Sequence, residues 1–198
     1  YRAVRFVDSS GKASFYTPDG RSMKKAFLRA PVNFSRISSN FNLKRLHPIH
    51  RQNMPHRGID YAAPRGTSVV ASGDGRISTA SRSNANGNYV VIKHGETFET
   101  KYLHLNKFHR NIRKGTKVSQ GQTIGYVGST GWATGPHLHY EFLVNGIHKN
   151  PRTVDLPKAE PIPKDQLDYF RASVGPTLEL LATKKLKNQR VNQMAASG

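Results

Sequence analysis

The sequence predicts an all-β core, folded as a compact antiparallel β-sheet or sandwich, with a β-strand lead-in before it and a helix after it. Three observations predict this class. Between about residues 57 and 150, Gly or Asn recurs every few residues and short β-branched runs lie between them. The first 30 residues contain two short strand-like runs, and the residues after Pro151 contain spaced apolar residues with a Lys-rich end.

The N-terminal segment, residues 1–34, is interpreted as a lead-in left from an upstream region. Its stretch "VRFVDSSGKASFYTPDGRS" predicts two strands joined by Ser-Ser-Gly, followed by a Pro-Asp-Gly turn. Residues 35–56 are polar and basic with little periodicity, which predicts a long loop. Long loops inside compact domains are often functional.

The predicted core, residues 35–155, is built from short strands. The runs that predict them are "TSVVAS", "GRIST", "YVVIKH", "TKYLHL", "KVSQGQTIGYVG" and "LHYEFLVNG". Tight turns are expected at "GDG" and "VNG". Residues 156–198 begin as a Pro-rich surface connector and continue as an amphipathic helix that Gly175-Pro176 breaks or kinks. The tail "NQMAASG" is expected to fray.

Composition limits the possible partners and compartments. The net charge of +19 favours an anionic partner, which charge alone leaves open among nucleic acid, an anionic membrane surface and a carboxylate-rich polymer. The 198 residues contain no cysteine, which excludes disulfides and thiolate metal sites and suits an oxidising compartment. No apolar run is long enough to span a bilayer. Because the chain starts at Tyr1, we expect a processed product or an excised piece of a longer protein.

The stretch "GPHLHYEF" at residues 135–142 places two histidines on either side of one leucine. On a β-strand, side chains alternate between faces, so His137 and His139 share one face with Glu141. Leu138 and Tyr140 point to the other face. Two imidazoles side by side can both bind a metal, or one can bind it while the other moves a proton.

A second pattern, His-x-x-x-Asp, lies at His56 and Asp60. On an extended strand these positions share a face, and Gly58 between them leaves room for another group to approach. Together with one histidine of the pair they supply two imidazole nitrogens and one carboxylate oxygen. That is the three-ligand set of a catalytic zinc site, with water in the fourth position. The spare histidine could then act as a general base.

The remaining histidines divide into one candidate and five bystanders. Strand alternation puts His104 on the face of Tyr102, from which it could reach the same groove and donate to an oxyanion. A lone histidine is more often a partly buried structural residue, and that interpretation stays open for His104. The others stand in basic or turn contexts and are expected to be solvated: His47, His50, His94, His109 and His148.

The combined pattern resembles the lysostaphin/LytM-type zinc metalloendopeptidases. The stretches that carry the resemblance are "HRGIDYAAPRGTSVVASGDGRI", "GNYVVIKHG", "KYLHL", "KVSQGQTIGYVGSTGWATGPHLHYEFLVNG" and "NP". They cover roughly residues 38–152. The lead-in, the "RISSNFNLKR" loop and the trailing helix are similar to the Gram-negative murein DD-endopeptidase branch of this family.

The resemblance implies a site and a fold. His56, Asp60 and His139 match the ligands of one Zn²⁺ ion. His137 matches the catalytic histidine drawn as general base, and His104 the second one, assigned to orienting water or stabilising the oxyanion. The implied fold is an antiparallel β-domain of the duplicated hybrid motif type. The groove walls would be the loops around residues 38–54, 82–88 and 129–135.

The resemblance also implies hydrolysis of peptide cross-links in bacterial peptidoglycan, D-alanyl–diaminopimelate bonds in this branch, by a monomer in the periplasm or cell envelope. Peptidoglycan is the expected anionic partner. One alternative is a catalytically silent or autoinhibited wall-binding or activator protein on the same scaffold, with the lead-in or the 35–56 loop filling the groove. A nucleic-acid binder is disfavoured, because the chain lacks a recognisable recognition motif.

Overall fold

The computed structural model describes most of the chain, and it divides the chain into two compact units. The terminal unit consists of Tyr1–Ala26 and Pro157–Gly198, and the sheet unit of Phe27–Leu156. The described residues are 3–9, 11, 13–23, 25–33, 36–45, 55–157 and 161–196, with side chains described as far as residue 184. The three segments predicted from the sequence stay a proposal.

The terminal unit joins the two ends of the chain. Its strands β1 (Val4–Val7) and β2 (Ala13–Tyr16) form the predicted antiparallel hairpin. Helix α1 (Leu167–Ala196), which follows a 3₁₀ turn at Lys164–Gln166, packs against it. The ring centroids of Phe6 and Phe170 lie 5.2 Å apart in an edge-to-face contact. A small apolar core therefore holds the hairpin to the helix.

The sequence predicted that Gly175-Pro176 breaks or kinks the helix. Helix α1 runs through Pro176, so it is not broken there. Gly175 is not in the left-handed region that would end a helix. Proline removes one backbone donor and crowds the carbonyl four residues before it, but its φ suits a helix, and α1 continues past it. The helix includes residues 192–196, which were expected to fray. No helix in the described part of the chain is long and apolar enough to cross a membrane.

The described part of the sheet unit contains ten strands. They are β3 (Arg36–Ser39), β4 (Ile59–Ala62), β5 (Ser68–Val70), β6 (Gly75–Ser83), β7 (Gly87–His94), β8 (Phe98–Phe108), β9 (Lys117–Val118), β10 (Thr123–Val127), β11 (His137–Val144) and β12 (Ile147–Lys149). Seven follow the order β3-β4-β11-β8-β7-β6-β9. β12 pairs with β11, and β10 with β5 and β8. Every pairing between these strands is antiparallel, which confirms the predicted fold class.

Strand β11 separates the core from the site. Leu138, Tyr140 and Phe142 are buried on one face. Their neighbours along the strand, including His139 and Glu141, point to the other face, where His139 stands directly opposite Asp60 of β4. The alternation predicted from "HLHYEF" is confirmed, and it places the two histidines of this stretch on the face away from the apolar core.

Two local predictions have different outcomes. The turn at "VNG" is a tight hairpin between β11 and β12, with Asn145 and Gly146 both at positive φ. The long loop predicted over residues 35–56 is wrong in part, because it contains β3 and the bridge between Asn42 and His56. The alternating exposure of β3 is typical of a strand at a sheet edge. The polar composition of this stretch gave no sign of a strand in the sequence. Residues 46–54 lie outside the described residues.

Candidate metal centre and its histidines

Two neighbouring strands and one bridge bring the three predicted ligands together. His139 of β11 and Asp60 of β4 are directly opposite one another in the antiparallel register. His56 precedes β4 and is fixed by two backbone hydrogen bonds with Asn42, of 2.8 and 2.9 Å. These three are the cluster of possible metal ligands found among the described residues.

The spacing of the three donor atoms fits one ion. Asp60 Oδ1 lies 3.1 Å from His56 Nε2 and 2.8 Å from His139 Nδ1, and the two nitrogens are 3.2 Å apart. Ligands about 2.0–2.2 Å from a tetrahedral zinc ion stand roughly 3.3–3.5 Å from one another. Small outward shifts would therefore open the cluster to a zinc ion, and two imidazoles with one carboxylate are a usual zinc donor set.

Hydrogen bonds on the far side of each ring fix which nitrogen is free to bind. His56 Nδ1 lies 2.7 Å from the backbone oxygen of Asn40, so it carries the proton and Nε2 carries the lone pair. His139 Nε2 lies 3.2 Å from Glu141 Oε1, which leaves Nδ1 for a metal. Partners of this kind orient metal-bound histidines and raise their basicity.

The two histidines predicted to be catalytic stand beside the cluster. His137 Nδ1 lies 2.8 Å from the backbone oxygen of Gly135, and its Nε2 lies 3.8 Å from Asp60 Oδ1. His104 Nδ1 lies 2.8 Å from the backbone oxygen of Thr130. The rings of His104 and His137 are 4.9 Å apart between centroids. In both rings Nδ1 carries the proton and donates it in a hydrogen bond to the carbonyl oxygen. Nε2 therefore carries the lone pair and is a hydrogen-bond acceptor.

Burial lowers the pKa of His104, and the hydrogen bond to Thr130 only partly offsets this. The imidazole is therefore neutral at pH 7. A neutral ring that already donates through Nδ1 has an acceptor, and no second donor, at Nε2. The site thus offers His104 as a group that receives a hydrogen bond from water.

The route by which His104 reaches the site differs from the prediction. Simple alternation put it on the face of Tyr102, but Tyr102 pairs with Tyr140 on the core face, 5.4 Å between ring centroids. A register shift in the β7–β8 pairing and a φ of 63° at His104 turn its side chain to the opposite face. A non-glycine residue in the left-handed region is strained, and such strain concentrates at functional sites.

Glu141 and His148 are functional candidates that the sequence reasoning missed. Glu141 is 8% exposed, and its two oxygens contact His139 Nε2 and, at 2.9 Å, His148 Nε2. Lys101 Nζ lies 3.5 Å from Glu141 Oε2. The prediction that His148 is solvated is wrong, since its ring reaches this carboxylate. The signal was available: the Asn145-Gly146 turn sets the hairpin register, and that register puts His148 opposite Leu143 on the face of Glu141.

We expect Glu141→Gln to lower the zinc affinity about 10–100-fold, the usual effect of losing an outer partner of a ligating histidine. The amide keeps the shape but removes the charge that supports His139. Zinc affinity by competition with a chromogenic chelator measures the effect. The matched control is Glu99→Gln, because Glu99 contacts Lys101 at 3.9 Å and none of the site histidines. Equal affinities for the two variants would exclude the role of Glu141.

Gly58 provides the space in which His139 sits. A Cβ atom added at Gly58 would lie 2.5 Å from the backbone oxygen of Tyr140 and 2.8 Å from His139 Nε2. Both distances are below any normal contact, and the backbone oxygen cannot move aside cheaply. The glycine in the sequence motif is therefore explained by close packing of β11 against this segment.

Gly58→Ala is expected to destabilise the fold by about 1–3 kcal/mol, as overpacking does, and to reduce zinc binding by displacing His139. Denaturant unfolding and zinc content measure the two effects. Gly175→Ala serves as the control, since a Cβ there meets no atom within 4 Å and its position is helical. A Gly58→Ala protein with full zinc content and unchanged stability would contradict this packing.

Among the remaining histidines, His94 has a structural role. His94 was predicted to be solvated, and this is wrong: it is 8% exposed, its Nδ1 lies 2.8 Å from the backbone oxygen of Asp74 and its Nε2 2.8 Å from Thr100 Oγ1. Burial lowers its pKa. His109 is half-buried outside the site. His47 and His50 lie outside the described residues.

Opposite charges on His139 and on the carboxylates of Asp60 and Glu141 stabilise the ligand cluster. Burial disfavours a charged His139, but its hydrogen bonds to Asp60 and Glu141 outweigh burial and raise its pKa to about 9. Burial likewise raises the pKa of Glu141, and the contact with His139 outweighs this and lowers it to about 2. The pKa of Asp60 is well below its usual value, since hydrogen bonds to His139 and His56 overcome its burial. Without an ion, His139 is therefore an imidazolium between two carboxylates at neutral pH.

Zinc binding at pH 7 is expected to release about one proton, because a metal must replace the Nδ1 proton of His139. The sign follows from the pKa of about 9. The affinity rises with pH up to about that value and becomes independent of this group above it. Calorimetric titration in two buffers of different ionisation enthalpy gives the proton count. A count near zero at pH 7 would contradict the charge state described for His139.

An antiparallel β-domain with a His₂Asp donor set and two further imidazoles beside it is typical of a metallohydrolase of the zinc peptidase class. The chain belongs to peptidase family M23, which residues 54–151 match, and the peptidases of that family are zinc enzymes. The resemblance identified from the motifs is thereby confirmed.

Individual relatives and solved structures to which the chain is similar agree with this family. The chain is 53% identical over 174 residues to peptidoglycan DD-endopeptidase ShyC of Vibrio cholerae, covering 88% of this chain and 39% of the relative. It is 46% identical to ShyA of the same organism, covering 85% and 39%. A zinc-containing peptidase from Vibrio cholerae superimposes with a TM-score of 0.65 at 40% identity, covering 78% of this chain and 47% of that one.

The catalytic domain of lysostaphin from Staphylococcus simulans superimposes with a TM-score of 0.53 at 31% identity, covering 61% of this chain and 91% of that domain. The chain spans about two fifths of the length of ShyC and ShyA. The similarity therefore covers nearly all of a lysostaphin-type catalytic domain but only part of these longer relatives.

Proposed function

We propose that this chain is a zinc-dependent endopeptidase that hydrolyses peptide cross-links of bacterial peptidoglycan, in particular D-alanyl–diaminopimelate bonds. One observation carries the proposal: the inner nitrogens of three imidazoles, on His56, His137 and His139, lie 2.8–3.8 Å from Asp60 Oδ1. The ring of a fourth, His104, lies 4.9 Å from that of His137 between centroids, and each of the four rings has its outer nitrogen on an oxygen acceptor. The relatives named as peptidoglycan DD-endopeptidases support the substrate class.

In this mechanism His56, Asp60 and His139 hold the zinc ion. When bound, zinc supplies Lewis acidity, which lowers the pKa of water and polarises a carbonyl group. His137 takes a proton from the attacking water at Nε2 and later gives it to the leaving amine. The backbone oxygen of Gly135 keeps this nitrogen free of a proton by accepting a hydrogen bond from Nδ1–H.

His104 orients the attacking water by accepting a hydrogen bond at Nε2. The contact of Nδ1 with Thr130 and the lowered pKa both support this role over donation to an oxyanion, which would need a second ring proton. The strained backbone at His104 places the ring where strand alternation would not. Both catalytic imidazoles are thus held by backbone carbonyls and need no rearrangement before the reaction.

The proposal assigns the protein to the cell envelope, with the periplasm as compartment. The net charge of +19 suits a polymer whose stem peptides carry carboxylates, because opposite charge raises the local concentration and association rate. That the chain acts as a monomer and binds no nucleic acid stay predictions.

Digestion of purified sacculi with and without a zinc chelator tests the proposal, with mass analysis of the released muropeptides. We expect cross-linked dimers to become monomers, loss of this activity with chelator, and its return with added zinc. The alternative is a silent or autoinhibited protein on the same scaffold. Full zinc content without cleavage would favour that alternative, in which the lead-in or the 35–56 loop fills the groove.

A further inference from the structure

The segment Thr130–Gly135 connects the two catalytic histidines. At one end, the backbone oxygen of Thr130 accepts a hydrogen bond from His104 Nδ1. At the other end, the backbone oxygen of Gly135 accepts a hydrogen bond from His137 Nδ1. Trp132 stands between these two points. It is 78% exposed, more than any other large hydrophobic residue in the described part of the chain.

The support under Trp132 is closely packed. The Trp132 amide donates to the backbone oxygen of Ala85 at 3.0 Å. A Cβ atom added at Gly131 would lie 2.3 Å from the amide nitrogen of Gly87, and one added at Gly87 would lie 2.2 Å from Thr130 Oγ1. Two glycines thus allow the backbones of the segment and of the turn before β7 to touch. The exposed indole is therefore carried by a fixed backbone.

The position of Trp132 relative to the reacting atoms follows from chain length. It is two residues from Thr130 and three from Gly135, and each residue spans at most about 3.6 Å. Its Cα therefore lies within roughly 7–11 Å of the carbonyls that hold both catalytic imidazoles. An extended peptide advances about 3.3 Å per residue, so a peptide bound at the site reaches Trp132 within a few residues of the scissile bond.

An exposed tryptophan at this position has the properties of a binding contact. Its large, flat side chain has few rotatable bonds, so ordering it on binding costs little entropy, and tryptophan is over-represented among residues that dominate binding energy. Nothing among the described residues covers it. Its fixed backbone is typical of a preorganised contact.

We propose that Trp132 is a substrate-binding residue that packs against the stem peptide of peptidoglycan, within a few residues of the bond that is cut. This inference rests on the proposed function for the identity of the substrate. Trp132 contributes binding that is equal in the ground state and the transition state, so it acts on KM and leaves kcat nearly unchanged.

The chain contains a single tryptophan, so its fluorescence reports on Trp132 alone. We would titrate the zinc-loaded His137→Ala chain, in which turnover is lost, with a sugar-free cross-linked peptide dimer and separately with an N-acetylglucosamine tetramer. The inference predicts a saturable change in emission with the peptide and none with the sugar. A change with the sugar alone, or with neither ligand, would overturn it.

Kinetics on the same peptide give the second readout. Trp132→Ala is expected to raise KM about tenfold with kcat within about twofold, and Trp132→Phe to lie between it and the wild type. Phe15→Ala, which removes another exposed aromatic residue from the terminal unit, is the control with unchanged KM. Unchanged KM in Trp132→Ala, or loss of zinc and thermal stability in place of a KM effect, would overturn the inference.

These results separate the two proposals. A peptide that shifts the fluorescence but is never cleaved by the zinc-loaded wild-type chain would contradict the endopeptidase function and leave the binding role of Trp132 in place. Cleavage of the peptide without any fluorescence change or KM effect would do the opposite.

Discussion

His139→Ala is expected to abolish zinc binding and, with it, all cleavage of peptidoglycan. The substitution leaves two donor atoms, on His56 and Asp60, and also removes the imidazolium that neutralises Asp60 and Glu141. Zinc affinity should fall by more than the roughly 100-fold seen when an outer partner of a ligand is lost. Metal analysis after dialysis and a sacculus digestion assay measure the two losses.

The control for this variant is His109→Ala, a histidine of the same unit that contacts the backbone oxygen of Arg110 and none of the ligands. It should retain full zinc content and full activity. If the His139→Ala protein instead folded normally and kept one tightly bound zinc ion, the ligand assignment would be wrong.

His137→Ala is expected to keep zinc and lose turnover by about 10²–10⁴-fold, the usual contribution of a positioned general acid–base group. The reason is geometric. Its Nε2 lies 3.8 Å from Asp60 Oδ1, close enough to reach a water at the ion but outside the donor cluster. Steady-state rates on a soluble cross-linked peptide, with zinc content determined on the same preparation, separate chemistry from metal binding.

Two outcomes would count against this role of His137. Near-normal cleavage by His137→Ala would remove it as general base. Loss of zinc together with activity would make His137 a zinc ligand. The lone pair that Gly135 leaves on Nε2 would then bind the metal and would not accept a proton from water.

The strands could be predicted from the sequence because they depend on local patterns, whereas the meeting of the three candidate ligands could be predicted only from the combination of motifs. Period-two alternation in "HLHYEF" and turn residues at regular intervals are properties of neighbouring residues, and they placed β11 and its faces correctly. The convergence of His56, Asp60 and His139 required a long-range pairing of β4 with β11. The motif combination implied that pairing; alternation alone did not contain it.

The path of His104 could not be predicted from alternation. Strict alternation assigns it to the face of Tyr102, and the structure turns it over with one register shift and a left-handed backbone. Such a shift is fixed by the pairing of β8 with three other strands, β7, β10 and β11. No residue near His104, such as a glycine, marks it in the sequence.

The contact between Glu141 and His148 could have been predicted from the sequence but was not. The Asn-Gly turn sets their register, so the sequence contained the geometry, but the acidic residue was read only as a neighbour of the histidines. The burial of His94 depends on Phe27 from the distant lead-in, whose ring lies 4.9 Å from it between centroids, and local charge could not indicate this.

A crystal structure of the zinc-loaded protein, with anomalous data collected at the zinc edge, tests the central claim most directly. The account predicts one zinc ion bound by His56 Nε2, Asp60 Oδ1 and His139 Nδ1, with a solvent molecule as fourth ligand near His137 and His104. An ion bound elsewhere, or a fourth protein ligand in place of solvent, would contradict it.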